Sequence, residues 1–267
     1  MPTLIITKPI ESSAGFASLL ESRGLKYFHL PCIEFTKPSD DYAALDKAIR
    51  ENHHYDWVFF LSKKAAEVFF SRLIELGGHL FHLSPRLKIA CVGQSTADFV
   101  INEIGFPVNF VPSKFNSETL AVEFLQQFAD VNPLLGLDPI EVILPRAENI
   151  SDDLIQKLEA NAQVKVSLVD AYATSIPESL SLTSLDALID SDEELFISLT
   201  SSQIVRNFKN ILGEKRLQRL SSRDKLHIIS IGPQTSLTIQ EELPELAVYL
   251  QEAKEASIEA MLDLLVV

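Results

Sequence analysis

Glycine is scarce in this chain of 267 residues, nine in all. Cysteine is scarcer still: Cys32 and Cys91 both lie in apolar, strand-like runs with no C-x-x-C spacing. Two such thiols read as core residues of a reduced protein, not as a disulfide frame or a metal site. No run of about eighteen apolar residues occurs, which leaves no candidate for a membrane-spanning helix. The opening MPTLIITKP has no basic stretch and no small-residue cleavage site, so it predicts a cytoplasmic chain that starts on a strand. Positive charge is also short, with 23 Lys and Arg against 37 Asp and Glu, a net charge of −14. That balance excludes a general nucleic-acid binder, which needs clustered cations for phosphates. It does not exclude an anionic small molecule, because backbone N–H groups with one or two basic residues suffice locally. G-x-G-x-x-G after the first strand, a phosphate-binding G-x-x-x-x-G-K-[ST] and a G-x-S-x-G elbow are all missing. His53-His54 and His79 with His82 lack the carboxylate or cysteine company of a metal site, so no metal is expected.

What the chain does contain is alternation. Short runs rich in Val, Ile and Phe, such as LIIT from Leu4, WVFFL from Trp57, KIACV from Lys88, VNFVP from Val108, LFISL from Leu195, LHIISI from Leu226 and AVYLQ from Ala247, alternate with segments of helical period. Continuous apolar strands between helices are the pattern of parallel sheets covered on both faces, so the fold class is α/β. The pattern also repeats. Gly93 and Gly232, Thr96 and Thr235, Trp57 and Phe196, Ser62 and Ser201, and Pro38 and Pro177 are each 139 positions apart, and Lys8 and Arg146 are 138 apart. A constant spacing over so many landmarks predicts an internal duplication.

In a parallel α/β sheet, ligands lie beyond the carboxyl ends of the strands. The residues expected there are Thr7, Lys8, Ser62, Lys63, Gly93, Gln94, Ser95, Thr96, Arg146, Ser201, Ser202, Gly232, Gln234 and Thr235. Most are small, hydroxylated or basic, and helix N-termini add N–H groups that suit carboxylates or phosphates. Ser and Thr also cap helices everywhere, a role compatible with ligand binding. One position breaks the repeat: Tyr172, placed at a strand end in LVDAYATS, has Ile33 as its counterpart. A strand-end tyrosine can simply pack, but its phenol is also a neutral proton donor that does not repel an anion.

Taken in order, LIITKP, DWVFFLSKKAAEVFF, KIACVGQSTADFV, VNFVPSKFNSETL, VILPRAENISDDL, VDAYATS, LFISLTSSQIVRNF and IISIGPQTSLTI resemble uroporphyrinogen-III synthase over essentially the whole chain. Departures from the usual pattern are Lys8 for arginine, Leu61 before Ser62 where threonine is usual, and Ser236 where alanine is common. Lys8 keeps the charge of arginine but loses its bidentate geometry. The resemblance implies a cofactor-free lyase that closes hydroxymethylbilane, a polyanionic linear tetrapyrrole, to uroporphyrinogen III with inversion of ring D and loss of water. It implies two flavodoxin-like lobes with a two-stranded connector and the active site between them. The expected lobes are 1–35 with 176–267, and 38–171, with crossovers near 35–38 and 172–177. Tyr172 matches the family's tyrosine and is the catalytic candidate, the other strand-end residues holding carboxylates. A small-molecule substrate without nucleic acid or membrane, a monomer, and transient contact with the preceding pathway enzyme complete the expectation. The alternative is a non-catalytic, two-lobed anion binder of the same fold.

Overall fold

The computed structural model describes residues 2–9, 14–129, 138–148 and 153–265. The element order is β1 (Thr3–Ile6), α1 (Ala14–Ser22), β2 (Lys26–His29), β3 (Glu34–Thr36), α2 (Ala43–Arg50), β4 (Trp57–Phe60), α3 (Lys63–Glu75), β5 (Lys88–Cys91), α4 (Gln94–Asp98), α5 (Ser117–Phe124) and β6 (Ile140–Ala147). It continues with α6 (Asp153–Glu159), β7 (Val164–Ser175), α7 (Leu182–Asp190), β8 (Leu195–Leu199), α8 (Ser202–Ser221), β9 (Leu226–Ser230), α9 (Pro233–Glu242), β10 (Leu250–Glu252) and α10 (Ile258–Leu262).

The strands form two five-stranded sheets, in the orders β2-β1-β8-β9-β10 and β3-β7-β6-β4-β5. Ladders β1–β2, β1–β8, β8–β9, β9–β10, β4–β5, β4–β6 and β6–β7 are all parallel. The chain divides into two compact units, Met1–Phe35 with Ser175–Val267, and Thr36–Thr174.

Period-two alternation explains how each sheet buries both faces. In the first unit Ile5 packs with Ile197, Ile228 and Phe208 of α8, whereas its neighbours Leu4 and Ile6 pack with Phe16 of α1 and Met261 of α10. In the second, Trp57 and Phe59 meet Phe124 of α5 edge-on, with ring centroids 5.1 and 4.7 Å away. Phe60 on the opposite face meets Phe69 of α3 at 5.5 Å. Edge-to-face pairs add about 0.5–1.5 kcal/mol each beyond the area they bury.

Several elements differ from the sequence reading. VNFVP contributes a single parallel bridge, Phe110 to Ala90, because the chain turns away after one pairing. Of AVYLQ, Ala247–Tyr249 form a 3₁₀ turn, and only Leu250 and Gln251 belong to a strand, β10. The strand expected to end at Tyr172 runs on to Ser175, with β3 as its neighbour on the side away from β6.

Candidate active site

Strands β4, β6 and β7 are neighbours, and their carboxyl ends bring together Ser62, Arg146 and Tyr172. The three line one pocket with Leu61, Pro145 and Ile155. Ser62 caps α3: its extended backbone turns its hydroxyl oxygen to accept from Ala65 N–H at 3.1 Å, as serine does at a helix start. The same hydroxyl lies 3.2 Å from the Tyr172 hydroxyl, a long hydrogen bond in which either group can donate.

The position of Tyr172 depends on an irregularity. Along β6–β7 Arg146 pairs with Asp170, but Ala147 pairs with Tyr172, so β7 carries one extra residue there. Such a bulge breaks the alternation and re-aims the side chain that follows. Tyr172 is 8% exposed, and burial pushes its phenol above the ordinary value. The Ser62 hydrogen bond pulls in the opposite direction, and the negative charge of Glu67 adds to the rise. The phenol therefore holds its proton at neutral pH. Arg146 lies 3.5 Å from the Asp170 carboxylate, which steadies the guanidinium at the pocket wall and offsets part of its charge.

The other second-unit candidates lie along the same carboxyl edge. Lys63 opens α3; its ammonium donates to Glu103 at 3.1 Å and sits 4.7 Å from the Phe99 ring centroid. Gly93 precedes α4 in extended conformation, the Gln94 amide donates to Asp98 at 2.8 Å, Ser95 is exposed and Thr96 is buried.

In the first unit, Thr7 is fully buried and its hydroxyl donates to the Ser198 carbonyl, which ties β1 to β8. The Thr7 side chain is thus a strand clamp, not an outward donor. The Lys8 ammonium is pushed down by burial. Ser201 caps α8 by accepting from Ile204 N–H at 3.2 Å, and the Ser202 hydroxyl meets Thr238 at 2.7 Å. Gly232 precedes α9 and borders open space, the Gln234 carbonyl accepts from Thr238 at 3.0 Å, and Thr235 is buried.

Sequence reading missed Asp170, Glu67 and the bulge. A bulge without glycine or proline leaves no mark in the sequence, and both carboxylates matter only once the register brings them near. Among the described residues no group of three or more His, Cys, Asp or Glu could hold a metal ion, and no helix is long and apolar enough to cross a membrane.

Parallel sheets flanked by helices, with a buried phenol beside a serine hydroxyl at the strand ends, define the class as an α/β protein. The family model of uroporphyrinogen-III synthase HemD matches residues 14–263. The uroporphyrinogen-III synthase of Synechococcus elongatus is 31% identical over 97% of this chain and 92% of its own length. The chain belongs to the uroporphyrinogen-III synthase family. Two solved structures share the fold. A mutant uroporphyrinogen III synthase from the extremely thermophilic bacterium Thermus thermophilus has a TM-score of 0.62 at 15% identity, covering 99% of this chain and 97% of its own. The uroporphyrinogen-III synthetase from Helicobacter pylori has a TM-score of 0.57 at 21% identity, covering 99% and 98%.

Proposed function

We propose that this chain is a cytoplasmic, cofactor-free lyase that closes hydroxymethylbilane to uroporphyrinogen III, with ring D inverted and water lost. The observation that carries the reading is the Tyr172 phenol, buried beside Ser62 at the carboxyl end of the sheet in a member of this family. Pyrroles are strong nucleophiles, so the demanding steps are departure of hydroxide and control of which carbon attacks. Tyr172 gives its proton to the departing hydroxyl as the C–O bond breaks, forming water and an azafulvene. The pyrrole N–H proton restores the phenol. Ring D then attacks through its substituted carbon, and cleavage with reclosure of the spiro intermediate inverts the ring. Positioning supplies much of the rate, since it turns a competition between two carbons into a choice set by the binding geometry. Strand-end N–H groups, Arg146, Lys63 and their first-unit counterparts hold the substrate carboxylates.

We further infer that the two units arose by duplication. Ladder registers support this: Leu4 pairs with Phe196 and Phe196 with His227, while Val142 pairs with Trp57 and Trp57 with Lys88. Those positions are 138 or 139 apart throughout. The caps Ser62 and Ser201 also correspond, as do Asn116 and Ser257, which are 141 apart.

The test generates hydroxymethylbilane in situ, adds the protein, oxidises the products and separates the porphyrin isomers. Spontaneous closure gives isomer I, so a predominance of isomer III is the expected result. Isomer I alone from folded protein would leave a non-catalytic anion binder.

A further inference from the structure

Phe115 is 64% exposed, so most of its ring is open to solvent. Its mount is firm. Asn109 accepts from Ile89 N–H at 2.9 Å through its side chain, and Phe110 bridges Ala90 in parallel, so the chain leaves β5 toward the carboxyl edge of the sheet. Ser113 N–H and hydroxyl both donate to Glu123, the backbone bond being 2.9 Å. Asn116 caps α5 by accepting from Thr119 N–H at 2.8 Å. Phe115 is therefore held between two anchored residues, with its ring left outside.

Gly93 makes room for that ring. A Cβ at position 93 would lie 3.2 Å from Phe115 Cβ and 3.4 Å from Cγ, closer than most side chains settle. At the corresponding place in the first unit, Gly232 has nothing within 4 Å of such a Cβ. The caps Asn116 and Ser257 make Ala256 the counterpart of Phe115. Tyr172 and Phe115 thus both depart from the repeat, with Ile33 and Ala256 as their counterparts, and both lie in the second unit.

We propose that Phe115 is a stacking platform for one pyrrole ring of the linear tetrapyrrole, a role that rests on the synthase reading above. A flat, electron-rich heteroaromatic ring is the partner such an exposed face suits, with carboxylate substituents left to the surrounding donors. Its place along the edge selects the ring. Gly93 follows β5 and Tyr172 lies on β7, with β4 and β6 between them. Three inter-strand spacings amount to about 14 Å. A substrate whose hydroxymethyl carbon meets Tyr172 therefore presents to Phe115 a ring further along the chain. Phe115 is a positioning residue and takes no part in proton transfer.

The experiment measures KM and kcat for Phe115→Ala and Phe115→Trp in the full chain, with hydroxymethylbilane generated in situ. Loss of an aromatic stack on a flat heterocycle costs about tenfold in binding. Phe115→Ala is expected to raise KM about that much while kcat changes far less, and Phe115→Trp to restore KM. Isomer III from the wild type together with an unchanged KM in Phe115→Ala removes the platform alone. So does equal damage from Ala and Trp, which points to a loop contact instead of a ring. Isomer I alone from the wild type removes the synthase reading and this proposal with it.

Discussion

At the scale of the residue, the proposed reaction asks that Tyr172 keep its proton until it is needed. Burial and Glu67 disfavour the phenolate, and Ser62 favours it. A raised folded pKa means that the proton contributes stability below the unfolded value of about 10, a contribution lost as pH rises through the folded value. Any alkaline loss of kcat due to Tyr172 is therefore expected above about pH 10; a limb well below that pH which disappears in Tyr172→Phe would contradict this. Tyr172→Phe itself should lower kcat about 10²–10⁴-fold, the usual contribution of general acid help, with the circular dichroism spectrum retained. Wild-type kcat in that variant would remove the phenol from the mechanism. Ser62→Ala should cost about 1 kcal/mol in urea unfolding by uncapping α3, and Ser201→Ala a similar amount by uncapping α8. Only the first also releases Tyr172, moving its pKa further upward. The candidate site was legible in part. Tyr172 stood out because its counterpart in the repeat is Ile33, and Ser62 because hydroxyls gather at strand ends. Asp170 and Glu67 were not legible, because their proximity follows from a bulge and a helix register instead of from spacing along the chain.

Among the elements, α8 shows where sequence pattern and structure agree and why. The helical period of SQIVRNFKNIL stops before Gly213, and the helix breaks there, with φ 58° and ψ 175°. Before the break Ile204, Phe208 and Ile211 face the core; after it Arg216 and Arg219 reach Asp186 of α7 at 2.9 and 2.8 Å. Those guanidinium groups hold the Asp186 carboxyl below its ordinary value. Gly213 occupies a region that other residues avoid, so Gly213→Ala should destabilise the protein by about 1–3 kcal/mol in denaturant unfolding. An unchanged midpoint would mean that the kink relaxes without cost. The long apolar strands were legible because burial on both faces leaves a continuous signature. β3 was not: three residues of mixed burial at Glu34–Thr36 carry no period, and pairing in the sheet alone makes them a strand. The stretches Phe99–Ile104 and Leu125–Ala129, where the helices beginning at α4 and α5 continue with π-type bonding, read as ordinary helix, because one widened turn barely alters the apolar spacing.

For the whole molecule, charge sets a problem that the site must overcome. The chain carries a net −14, and the proposed substrate is itself a polyanion. Their long-range interaction is repulsive and extends about one Debye length, roughly 30 Å at 0.01 M salt and 8 Å at 0.15 M. In the proposed binding mode local attraction comes mostly from backbone N–H groups at strand ends and helix starts, which act at hydrogen-bond range and are screened far less. Salt should therefore weaken the repulsion more than the attraction, and kcat/KM should rise from low to physiological ionic strength. An enzyme whose grip depended mainly on exposed Lys and Arg would show the opposite slope. Measuring kcat/KM between about 0.01 and 0.15 M salt in the coupled isomer assay decides between them. A fall would move the binding energy from the backbone to the cations, with Lys63 and Arg146 the first to neutralise. A rise would explain how so acidic a protein can hold a polyanion with few basic residues, since donors that carry only partial charge add nothing to the net balance yet bind at close range.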